Sequence, residues 1–152
     1  MMKATRTLLW LLAAAAPWAP ALAGLGGDAA SVEADRASIN AALHVSTTPS
    51  GFTVHELEIP GGDMLIREYA GLDGTVFAVT WHGKGIPDLQ KVLGSYYGEF
   101  AQAASAPHYN HHHLSIRTAN VVVESHGHTR AFFGRAWAPA LLPENFSPGD
   151  ID

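Results

Sequence analysis

The apolar and polar positions of the chain divide it into a leader and a folded body. The leader, residues 1–23, starts with Lys3 and Arg6, is continuously apolar over 8–16, and closes on Ala21-Leu22-Ala23. A basic start, a short apolar run broken by Pro17 and Pro20, and a small-x-small end are the three parts of a secretory signal peptide. The run is shorter than the about 20 apolar residues that a bilayer-spanning helix needs. Cleavage after Ala23 is therefore expected, leaving one domain over 24–152. No later stretch is long and apolar enough to form a membrane helix.

Beyond the leader, period-3.6 and period-2 patterns alternate. Residues 28–43 carry a thin stripe (Val32, Ile39, Leu43) behind a capping Asp28, which predicts a weak first helix or a mobile arm. Residues 46–51 read as a loop. Strands are predicted over 52–59, 64–70 and 75–82, separated by Pro60-Gly61-Gly62-Asp63 and by Gly71-Leu72-Asp73-Gly74, an Asp-Gly hairpin signal. Short links make these an antiparallel meander. Residues 88–103 form the best helix, with Leu89, Val92, Leu93, Tyr96, Phe100 and Ala103 on one face behind Asp88. Three further strands are expected over 113–117, 120–125 and 128–137, with Gly127 at the joint of the last two. The Pro-rich tail from Pro139 is expected to be extended and irregular. The pattern describes a single α+β domain: an antiparallel sheet of about five or six strands, one amphipathic helix packed across a face, and a weak N-terminal helix.

Composition narrows the chemistry. The chain of 152 residues has no cysteine, which excludes disulfides, thiolate metal sites, cysteine nucleophiles and a lipidated N-terminal cysteine. Loss of residues 1–23 leaves 129 residues and removes two bases, moving the net charge from −5 to −7. That charge and the scattered bases argue against nucleic acid as a partner. Neither a GxSxG elbow nor a GxxxxGK[ST] phosphate loop is present.

Several blocks, in order along the mature chain, resemble the exported bacterial domain-of-unknown-function family 2844. They are Leu25-Gly26-Gly27, Arg67-Glu68-Tyr69, Val76-Phe77-Ala78-Val79-Thr80-Trp81, Pro87-Asp88-Leu89 with Leu93-Gly94, Gly127-His128-Thr129-Arg130-Ala131-Phe132, Gly134-Arg135-Ala136-Trp137, and Leu142-Pro143. The Gly-His-x-Arg block is the most specific. Thr129 stands where the family pattern has Met, and the His111-His112-His113 run lies outside it. The resemblance implies export and a single domain, and it implies no activity.

Histidines are the first candidates for chemistry. His111 to His113 are consecutive and His126 and His128 follow, so His126 and His128 are the candidate metal ligands. Without HExxH or a matched distant acid, a solvated polar loop is the blander reading. On a strand over 128–137, His128, Arg130 and Phe132 share one face, while Phe133 and Arg135 take the other. The first set reads either as an anion-recognition strip or as a structural strip in which Arg130 pairs with Glu68 or Glu124. Arg135 and Trp81 complete the candidate binding residues, Trp81 because an exposed aromatic set would mark a partner site. Glu56 and Glu58 share a strand face, an arrangement typical of a solvated edge. No catalytic residue is assigned. The leading expectation is a non-catalytic binding or envelope-assembly module with an unknown protein or small-molecule partner. The alternatives are a histidine-based metal- or pH-responsive module, and an enzyme of unknown class centred on His128 and Arg130.

Overall fold

A computed structural model describes residues 24–105 and 113–151. Residues 1–23, over which a signal peptide is expected, and His111 and His112 lie outside the described residues. The element order is α1 (Ala29–Ile39), β1 (Ala42–Thr47), β2 (Thr53–Glu58), β3 (Met64–Ala70), β4 (Val76–Gly83), α2 (Leu89–Leu93), α3 (Tyr97–Ala104), β5 (His113–Arg117), β6 (Val122–His128) and β7 (Ala131–Trp137). All strands join one antiparallel sheet in the order β1-β2-β3-β4-β7-β6-β5. Two meanders thus meet at the β4–β7 ladder; α1 precedes the first, and the chain between them carries α2 and α3.

The α+β class and the antiparallel sheet agree with the sequence pattern, but the sheet has seven strands, not five or six. The added strand is β1, which the sequence assigns to the end of the first helix and a loop. That helix stops earlier, where Asn40 takes a left-handed conformation (φ 52°). As an edge strand β1 has one neighbour and is largely exposed, so it carries little hydrophobic alternation. The first helix is nonetheless well started: Asp28 and Ser31 form a reciprocal capping box, with the Ser31 N–H donating to Asp28 Oδ1 at 2.9 Å.

The helix predicted over 88–103 is broken into α2, a 3-10 turn at Gly94–Tyr96, and α3. Gly94 is the break: it is buried and adopts φ 52°, ψ −125°, outside the helical region. The expected strand over 128–137 is also redrawn. β6 runs through Gly127 to His128, the chain turns at Thr129 and Arg130, and β7 starts at Ala131. Gly127 is a crossing point, not the joint: a Cβ there would sit 2.8 Å from Phe132 Cα. Arg130 makes the turn at φ 67°, a conformation its residue type does not advertise.

Cross-strand partners share a face. On one face Leu57, Ile66, Val79, Trp81, Val123, Ala136 and Ile116 form a core with Val32 of α1, Val92 and Leu93 of α2, and Phe100 of α3. Leu25 belongs to this core and ties the N-terminal segment down through its N–H to the Val92 carbonyl at 2.9 Å. Trp81 is 2% exposed and lies over Gly134, its partner in the ladder. A smaller core forms at the other end and side of the sheet, where Phe146 packs edge-on to Phe77 (4.6 Å between centroids) and Phe52 (5.6 Å). The tail is therefore a packed segment with two 3-10 turns, not simply an extended strand of chain. Its Pro and Gly residues hide that role from a pattern reading.

Candidate functional site

Among the described residues the helices cover one face, and the tail covers the Trp137 end of the other, reaching the edge of its central hollow through the buried Ile151. The remainder is an open face built from two rows. One row runs Leu65, His82, Phe133, His126, His113; the next runs Glu56, Arg67, Thr80, Arg135, Glu124. Strand alternation dictates both rows, because within β4 Thr80 and His82 point away from Trp81, and within β7 Phe133 and Arg135 point away from Gly134.

The first row is a ladder of rings. His82 stacks on Phe133 at 4.4 Å with an interplanar angle of 7°, Phe133 lies 6.0 Å from His126, and His126 lies 6.1 Å from His113. The rings face one another along the sheet, and Phe133 is 43% exposed. The second row is a set of charge pairs. Arg67 Nε donates to Glu56 Oε2 at 2.8 Å. Arg135 places Nε and Nη2 on Glu124 Oε2 at 2.9 and 2.7 Å, donates Nη1 to the Pro148 carbonyl at 2.8 Å, and lies 5.5 Å from the Trp137 ring. Its guanidinium is thereby used to fix β7, β6 and the tail together.

Between the rows lies a hollow of about 440 Å³ lined by Leu65, Thr80, His82, His126, Phe133 and Arg135. A second, of about 380 Å³, adjoins it across His82 and Leu65 and is rimmed by Glu58, Asp63, Lys84 and Arg130. The Lys84 ammonium pairs with Asp63.

The structure brings together some of the predicted residues and separates others. His126 and Arg135 line the larger hollow. His128 shares the His126 face at the end of β6 and is exposed. The expected strip of His128, Arg130 and Phe132 does not exist: Arg130 occupies the turn, and Phe132 points to the helix side with its partners Gly83 and Gly127. Arg130 pairs with neither proposed acid, because Glu124 is engaged by Arg135 and by Arg117 (3.8 Å), and Glu68 is buried on the opposite face. Trp81 is core, so it offers no exposed aromatic surface. Among the described residues no group of three or more His, Cys, Asp or Glu side chains could hold a metal ion. His82, Phe133, Thr80 and Arg67 were missed as a set. Their parity within each strand is readable, but only the β4–β7 register aligns them.

Residues 21–151 match the family described as "Protein of unknown function (DUF2844)". The chain belongs to that family. No curated protein and no solved structure matched it. Membership in DUF2844 covers the sheet, the helices and the tail as one unit, and carries no activity with it. In this DUF2844 chain no helix of the described residues is long and apolar enough to cross a membrane.

Proposed function

We propose that this protein is a non-catalytic binding module, acting outside the cytoplasm, that takes an uncharged and partly apolar ligand along the open face of its sheet. The carrying observation is Phe133, a large ring left 43% exposed at the middle of a seven-stranded sheet and bracketed by His82 and His126 over a hollow. Apolar surface flanked by fixed polar groups is the usual composition of a recognition site. The neighbouring arginines favour a neutral ligand, since Arg67 and Arg135 already face Glu56 and Glu124. Work outside the cytoplasm is supported by the three-part leader of residues 1–23.

The test is a titration of isotope-labelled mature chain with a fragment library holding neutral aromatic, glycan-like and charged members, followed by NMR. Shifts are expected to cluster at Leu65, Thr80, His82, His126 and Phe133 with neutral fragments, and to vanish in Phe133→Ala. Shifts confined to other surfaces, or a preference for charged fragments, would refute the assignment.

A second reading, a metal- or pH-responsive histidine module, is favoured by the facing His113 and His126 rings on paired strands. Calorimetry with zinc and nickel on untagged protein separates the readings: loss of all binding on replacing His126 and His128 supports this module, and unchanged binding removes it.

A further inference from the structure

Glu68 lies on the covered side of the sheet, 2% exposed, and its Oε2 has no hydrogen-bond partner among the described residues. A buried carboxyl oxygen without a donor is costly, and natural proteins retain one where something else completes it. The side chain borders a cavity of about 240 Å³ enclosed by α1, α2 and the sheet. Its walls are apolar at Leu57, Ile66 and Val92 and acidic at Asp35 and Asp88, and Ile86, 55% exposed, stands at its rim.

The cavity holds an imbalance of charge. Asp35 from α1 and Glu68 from β3 face the same space, and Asp88 caps α2 beside them. Lys91 is the single base in the lining, and its Nζ reaches outward to Ser38 Oγ at 3.4 Å. Burial and the charge of Asp35 push the Glu68 carboxyl up to about 7, against the lowering effect of a bond from the Gly24 backbone. Burial also raises Asp35, with Lys91 opposing it and Asp88 adding to it. His55, across the β2–β3 ladder from Glu68, is itself buried with Nδ1 unpartnered, and burial lowers its basicity, so it supplies no compensating charge.

We propose that this cavity is a binding site for a small alkylammonium group, the cation seated between Glu68 and Asp35 and its chain against Leu57, Ile66 and Val92. An ammonium supplies the donor that Glu68 lacks and cancels the repulsion between the two acids. The apolar walls select an alkyl body over a bare metal ion, which would demand more oxygen ligands than the cavity offers. An apolar cavity of about 150 Å³ is large enough to hold benzene, so about 240 Å³ leaves room for a short alkylammonium. The site faces away from the open-sheet hollow, so it stands or falls independently of the binding role proposed above.

The test uses the mature full chain, with n-pentylammonium as the probe and n-pentanol as its neutral counterpart, read by calorimetry at pH 7.5. The ammonium is expected to bind at least tenfold more tightly than the alcohol, and Glu68→Gln to abolish that preference. A carbon-detected NMR titration of Glu68 in the wild-type chain gives a readout that does not depend on a variant folding. Its midpoint is expected to fall by at least one pH unit when the probe saturates the site. Equal binding of amine and alcohol, no binding of either, or an unmoved Glu68 midpoint would each overturn the proposal.

Discussion

Gly134 is where the fold makes its sharpest demand on a side chain. Trp81 lies across it, and a methyl group at Gly134 would fall 2.6 Å from Trp81 Nε1 and closer still to Cζ2 and Cε2. Ordinary contact needs roughly 3.5 Å, so Gly134→Ala forces the indole to shift by about 1 Å or more. The indole cannot yield outward, being 2% exposed and packed in the helix-side core. Overpacking of this kind costs typically about 1–3 kcal/mol and occasionally more; a rigid ring against backbone places Gly134→Ala near the upper end. For a domain of this size that corresponds to a fall in Tm of about 10 °C. Urea unfolding followed by tryptophan fluorescence, together with thermal melts, measures both. Gly98 provides the control, since it lies in α3 and a methyl group added there would meet nothing within 4 Å. Gly98→Ala is expected to stabilise by about 0.5 kcal/mol through the unfolded chain's lost freedom. Trp81→Phe combined with Gly134→Ala should recover part of the loss, giving a coupling of at least about 1 kcal/mol. If Gly134→Ala unfolds within about 0.5 kcal/mol of the wild type, the indole does not rest on Gly134 and the register argument fails with it.

Two other outcomes follow from single residues. Because the buried Glu68 carboxyl titrates near 7 and its unfolded counterpart near about 4.3, the folded chain holds an extra proton between those values, so stability falls as pH rises through that window, by on the order of 3 kcal/mol. His55, lowered by burial, tilts the curve the other way below about pH 6.5, so the difference between wild type and Glu68→Gln in urea melts at pH 5 and pH 8 isolates the acid; a difference that stays constant with pH would contradict the burial argument. Arg130→Gly is expected to stabilise by about 1 kcal/mol, because the turn holds a Cβ-bearing residue at φ 67°, and a loss of stability on the same melts would show that the arginine side chain makes a contact the turn depends on.

What the chain's local pattern determined was substantial. The Val, Phe, Thr and Trp content of β4, the Asp-Gly turn before it and the apolar face of Leu89, Val92, Leu93 and Phe100 were legible because strand propensity, turn chemistry and capping act over a few neighbouring residues. The shift of the last hairpin from Gly127 to Thr129 and Arg130 was not legible, since glycine is used at 127 to admit Phe132 from the next strand. Nor was β1, whose edge position removes the burial that would have written alternation into it. The ring ladder and the buried Glu68 depend on the same kind of fact. His82, Phe133 and His126 belong to three strands, and Glu68 faces Asp35 only because α1 lies across β3. Register between strands and the choice of which face a helix covers are long-range packing decisions, settled by what fits across the sheet, and tertiary structure alone records them.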